Sequence, residues 1–184
     1  AMQNSVPKGQ GGMVAVLGST VEIIEKILKD NEQNFKVQIA NDNSEGQVVL
    51  SGNNKDLDDL ILSLKKSSIK SIKLPVSAPF HCSLMKNATK IMIDELNKLD
   101  FKDSSTKLIS NVTAEEIKGK VELKTLLIKQ IENRVRWRES IINMIKNETN
   151  HFIEIGPGKV LSGLVKRIDR KVKINTINSG EDKK

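Results

Sequence analysis

The sequence predicts a mixed α/β chain in two parts, and three observations carry that reading. Short apolar runs alternate with amphipathic stretches in the order β-α-β-β-α-β over the first eighty residues. Helix-starting and turn-forming residues stand at the joints between those runs. Beyond residue 80 the rhythm changes to helices separated by brief strands, the pattern of a layer with parallel strands.

The elements follow in order. Residues 1–12 hold Pro7, Gly9, Gly11 and Gly12 and read as a loop. The run from Met13 to Gly18 is short, apolar and β-branched, so a buried strand. Ser19 has the capping-box spacing to Glu22, and Ile23, Ile24, Ile27 and Leu28 follow at helical spacing. Phe35 to Ala40 alternates as a strand, the polar stretch Asn41 to Gly46 reads as a turn, and Gln47 to Gly52 is the next strand. Leu57, Leu60, Ile61 and Leu64 share one helix face, and Ile69 to Val76 closes the unit as a fourth strand. That order is the ferredoxin-like pattern, two helices on one face of an antiparallel sheet.

From Leu84 a helix runs to Leu99, a strand lies near Leu108 to Asn111, and helices lie near Val121 to Glu132 and Trp137 to Lys146. A strand from Phe152 to Ile155 enters a helix from Val160 to Ile168 through Gly156-Pro157-Gly158, and Val172 to Ile177 is the last strand. These parts divide as 1–80, 81–178 and a disordered tail at 179–184. The second part has too few strands to make a layer by itself.

Composition narrows the function classes. With 38% hydrophobic and 29% charged residues the chain fits a soluble globular protein, with cytoplasm as its default compartment. No apolar run approaches the ~20 residues that span a bilayer. Cys82 is the sole cysteine, so an internal disulfide is excluded. The net charge of +7 would attract acidic partners, but its scattered lysines read first as a solvated surface. Nucleic acid is a poor one, because tyrosine is absent and Phe35, Phe80, Phe101, Trp137 and Phe152 are the only rings for stacking.

Several motifs fail on inspection. The glycines at 9, 11 and 12 precede a strand instead of following one, and Gly158-Lys159 lacks the rest of a phosphate loop. One cysteine and two separated histidines, His81 and His151, make no metal set, and no G-x-S-x-G elbow is present. The stretch from Leu74 to Met85 stands out. Two prolines fix an extended segment after a strand and place His81 where the next helix begins. Imidazole titrates near neutrality, so a rigidly held histidine suits proton transfer; helix capping or a plain surface histidine is the competing role.

That stretch, together with others, resembles the malonyl-CoA:acyl-carrier-protein transacylase family. The others are Met2-Gln3, Val6-Pro7, Gly11-Gly12-Met13, Asn41-Asp42-Asn43, Gly46 to Gly52, Val135-Arg136-Trp137 with Ser140, and Glu154 to Leu161 with Gly163-Leu164. The resemblance implies a large α/β-hydrolase-like acyltransferase subdomain, of which residues 81–178 would be the C-terminal portion beside the ferredoxin-like one. It implies malonyl transfer from malonyl-CoA to the phosphopantetheine thiol of an acyl carrier protein, in fatty-acid biosynthesis, through a malonyl-serine. His81 falls at the family's histidine base, and Gln130 at the glutamine whose backbone carbonyl orients it. Asn41 and Asn43 match asparagines near the acyl pocket. Phe80 matches a malonyl-selective position. No metal or separate cofactor is implied, and no membrane or nucleic-acid partner. Arg134, Arg136 and Arg138 are candidates, on charge alone, for docking the acidic carrier protein.

The family's G-H-S-x-G elbow is not in the sequence, so a truncated chain without transfer activity of its own is expected. Two alternatives stand: the acyltransferase domain of a polyketide synthase, and a non-catalytic ferredoxin-like binding module.

Overall fold

The computed structural model describes residues 1–7 and 9–179. The first unit comprises β1 (Gly11–Leu17), α1 (Val21–Asp30), β2 (Val37–Ser44), β3 (Gln47–Asn53), α2 (Asn54–Lys66) and β4 (Lys70–Lys73). Its sheet is antiparallel with strand order β2-β3-β1-β4. This is the expected β-α-β-β-α-β arrangement, and alternation along each strand explains its two faces. Val14, Val16, Val37, Val48 and Leu50 face α1 and α2, meeting Ile24, Leu57, Leu60 and Leu64 in the main core. Met13, Ala15, Ala40 and Val49 point the other way and meet Leu74 and Phe80.

Local chemistry fixes most boundaries, and several differ from the sequence reading. Thr20, not Ser19, caps α1, accepting the Ile23 N–H at 3.4 Å; Ser19 is buried behind it. Asn53 caps α2 by accepting the Asp56 N–H at 2.8 Å. The polar stretch read as a turn is mostly strand: β2 continues through Asn41, Asp42 and Asn43 to Ser44, and only Glu45-Gly46 turns the chain. Gly46, at φ +82°, adopts the left-handed backbone that this tight hairpin needs. β2 extends because it is a sheet edge that finds a second partner. The Val135 N–H donates to the Ala40 carbonyl at 2.7 Å, and the Asp42 N–H donates to the Val135 carbonyl at 2.9 Å. A bulge between Ile39 and Asn41 shifts the register on β3 at this place.

The second part begins with a 3-10 turn at Ser83–Met85 and continues as α3 (Lys86–Asn97), α4 (Lys120–Gln130), α5 (Trp137–Lys146), β5 (His151–Ile155), α6 (Val160–Ile168) and β6 (Lys173–Ile177). The strand expected near Leu108 reduces to a single bridge between Ile109 and Glu116. β5 and β6 pair in parallel. Ile153 and Ile155, two residues apart on β5, are 52% and 78% exposed. The Glu154 carboxylate between them accepts the N–H groups of Leu161 and Ser162, which closes the start of α6. The expected disordered tail lies, from residue 180, outside the described residues.

Candidate active site around His81 and Gln130

The loop joining β4 to α3 is wedged before it reaches His81. Ala78 and Pro79 are fully buried, and Pro79 lies against Gly11 so closely that a Cβ there would stand 2.5 Å from the proline ring. Glycine is required at 11 for that approach. His81 itself has φ +58°, a left-handed conformation in which histidine is several-fold enriched among non-glycine residues. Cys82 then turns inward. Its thiol donates to the Pro79 carbonyl at 3.1 Å and accepts from the Ser51 hydroxyl at 3.6 Å. Burial pushes that thiol above its ordinary pKa, so it is a packing residue and no nucleophile. The Ser83 N–H donates to the side-chain oxygen of Gln38 on β2 at 2.7 Å.

Gln130 arrives from the opposite side. It is the last residue of α4, so its carbonyl is among those left without an intrahelical partner. That oxygen lies 2.9 Å from Nδ1 of His81. A carbonyl can only accept, so Nδ1 carries the proton and Nε2 is left with a free lone pair. The ring lines a shallow cleft of about 370 Å³ with Gln38, Glu132, Asn133 and Arg134. A half-buried imidazole with a fixed tautomer and an accepting Nε2 can take a proton from a neighbouring hydroxyl or thiol.

The other expected site residues are placed differently. Phe80 is half-buried and packs against both the second sheet face and the Ala78, Met85, Ala88 and Ile131 cluster beneath α3 and α4. Asn41 and Asn43 sit in β2 rather than in a turn, and neither lines the cleft that His81 lines. Arg134, Arg136 and Arg138, read as docking candidates, are engaged within the chain. Arg134 pairs with Glu25 at 2.8 Å, Arg136 with Glu139, and Arg138 with Asp42. The first pair ties the segment before α5 to α1 and the third ties α5 to β2, while the second stays within the start of α5.

Asp42 was not legible as a site residue. It is fully buried, and Arg138 Nε lies 3.0 Å from each of its carboxylate oxygens. Burial pushes its carboxyl up, against the pull of the guanidinium. The available signal was a charge between two asparagines in a stretch whose alternate positions, Ala40 and Ser44, are small. Among the described residues no group of three or more His, Cys, Asp or Glu could hold a metal ion. No helix there is long and apolar enough to cross a membrane.

No family model matches the chain. Individual relatives do. The chain is 41% identical over 182 residues to the malonyl CoA-acyl carrier protein transacylase of Bacillus subtilis, covering 98% of itself and 57% of the relative. It is 37% identical over 185 residues to that of Staphylococcus aureus strain MRSA252, of which it covers 60%. Among solved structures, the malonyl CoA-acyl carrier protein transacylase from Clostridium perfringens superposes with a TM-score of 0.93 at 38% identity, covering 98% of this chain and 57% of that one. A malonyl-transacylase in complex with a type II polyketide-synthase acyl-carrier protein gives 0.91 at 31% identity, with 98% and 59% covered. The chain thus spans 57% to 60% of the curated relatives' length. By sequence and by fold, the chain is similar to malonyl CoA-acyl carrier protein transacylases over 57% to 60% of their length.

Proposed function

We propose that His81 is the general base of an acyl transfer, held by the Gln130 carbonyl, which moves malonyl from malonyl-CoA to the phosphopantetheine thiol of an acyl carrier protein. The observation that carries this reading is the 2.9 Å contact between Nδ1 and that carbonyl, made across 49 residues of sequence. In the first half-reaction Nε2 takes the proton of a serine hydroxyl as the oxygen attacks the thioester. Collapse of the tetrahedral intermediate expels CoA, whose sulfur receives that proton. In the second half the carrier thiol gives its proton to Nε2, attacks the acyl-serine and leaves the hydroxyl restored. A carbonyl orients the imidazole without the full charge of a carboxylate. The serine is not in this sequence, so the transfer requires a polypeptide bearing it.

Phe80, beside His81, would crowd a branched acyl group, a discrimination worth ~1–3 kcal/mol. Asn41 and Asn43 would offer amides to the pantetheine or acyl moiety. The reaction needs no metal or cofactor beyond its substrates, and the ferredoxin-like unit with a cytoplasmic setting in fatty-acid synthesis suits it. Similarity to a transacylase seen with a polyketide-synthase carrier favours a second reading, the same chemistry serving a polyketide carrier.

Two assays test the proposal. Incubated alone with malonyl-CoA and carrier protein, the chain should transfer nothing measurable. Joined to a polypeptide carrying the G-H-S-x-G elbow it should transfer malonyl, and His81→Ala should then lower the rate by roughly 10²–10⁴-fold. Full activity in that variant would refute the assignment.

A further inference from the structure

Both halves of the His81–Gln130 pair are fastened to the same strand. Two residues after His81, the Ser83 N–H is held at 2.7 Å by the Gln38 side chain. Five residues after Gln130, Val135 is held by the backbone of Ala40 and Asp42 at 2.7 and 2.9 Å. Gln38, Ala40 and Asp42 all belong to β2. The bulge between Ile39 and Asn41 lies at Ala40, one of the Val135 partners, and separates Gln38 from Asp42, so a change of register there alters the separation of the two attachments.

We infer that Gln38 is a positioning residue: β2 acts as a common ruler, and the Gln38 amide oxygen sets the His81 ring against the Gln130 carbonyl. The backbone at His81 is left-handed and costs free energy unless its surroundings hold it. The wedge of Pro79 against Gly11 holds it from the N-terminal side. On the C-terminal side the Gln38 side chain holds the backbone immediately after Cys82. Gln38 is exposed and lines both the cleft beside His81 and a larger one of about 740 Å³ over Cys82 and Phe35. An exposed amide contributes little to the core, so its link to Ser83 can be cut without unfolding the chain.

The inference builds on the proton-transfer role of His81, but its test needs no acyl substrate. The chain has two histidines, so imidazole ¹⁵N and ¹H spectra of the full chain resolve each ring, with His151→Gln assigning them. In alkaline buffer the wild-type His81 ring should be the single Nδ1–H tautomer, with a slowly exchanging Nδ1 proton. Gln38→Ala should lose that proton signal and give a mixture of tautomers at an unchanged thermal midpoint. Gln38→Glu keeps an acceptor and should restore the wild-type spectrum. Ser83→Pro removes the donor from the other side. Its backbone is suited to proline, because Cys82 before it is extended at φ −142°, ψ 172°. It should reproduce the Gln38→Ala spectrum.

A wild-type Nδ1 proton in Gln38→Ala or in Ser83→Pro would overturn the inference. So would failure of Gln38→Glu to restore it. Loss of the tautomer together with full transfer activity in His81→Ala would instead leave the ruler standing and sink the proton-transfer role.

Discussion

Asp42 and Arg138, 96 residues apart, meet in a bidentate pair in which Asp42 is fully buried and the Arg138 side chain keeps a quarter of its exposure. The pair joins β2 to α5 beside the backbone bridge at Val135, so charge and main chain fasten the same junction. Arginine suits it because its planar fork matches a carboxylate edge to edge.

Removing one partner should cost far more than removing both. Arg138→Ala strands a buried carboxylate, and urea unfolding should show a loss of about 3–5 kcal/mol. The double change Asp42→Leu with Arg138→Met should recover most of that loss. Equal losses in both would mean that α5 is fastened mainly by the backbone bridge.

Gly11 should tolerate no side chain. A methyl group there meets Pro79 at 2.5 Å, and overpacking of this kind costs about 1–3 kcal/mol. Pro79→Ala removes the two nearest ring atoms, so Gly11→Ala combined with Pro79→Ala should be more stable than the sum of the single changes. Simple additivity in thermal melts would show that the two do not press on each other.

Acid should loosen the arginine cluster. The Arg136 guanidinium, hydrogen-bonded to Glu139, holds that carboxyl below its ordinary value of 4.5. A depressed carboxyl stabilises the fold above its unfolded pKa, and the contribution disappears as pH falls through the folded one. Stability should therefore fall on acidification through and below that ordinary value. Glu139→Gln should flatten part of the fall in urea midpoints. Identical slopes in the two proteins would contradict the assignment.

Much of this architecture is written locally in the sequence. The order of strands and helices in the first unit follows from alternation, caps and Gly46, all short-range features. His81 was legible because two prolines made its loop rigid, and Gln130 only through resemblance, since a backbone carbonyl leaves no trace in side-chain pattern. One misreading has a long-range cause, whereas Ser19 and Thr20 compete locally for the same cap. Asn41 to Ser44 looks like a turn because its residues are polar, yet it is strand because Val135 and Arg138 arrive from far along the chain to satisfy it. Gln38 was invisible for the same reason: its partner is a main-chain N–H 45 residues away.

The β5–β6 ribbon carries a thermodynamic consequence. Parallel strands ordinarily lie between two covering layers, whereas α6 covers one side here and Ile153 and Ile155 look outward on a ribbon of two strands. Any polypeptide that lies over that side and binds only the folded chain adds its binding free energy to folding through mass action. Without one, the same isoleucines and the open strand edge are a template for self-association. The melting temperature of this chain is then a function of what shares its solution, and at what concentration.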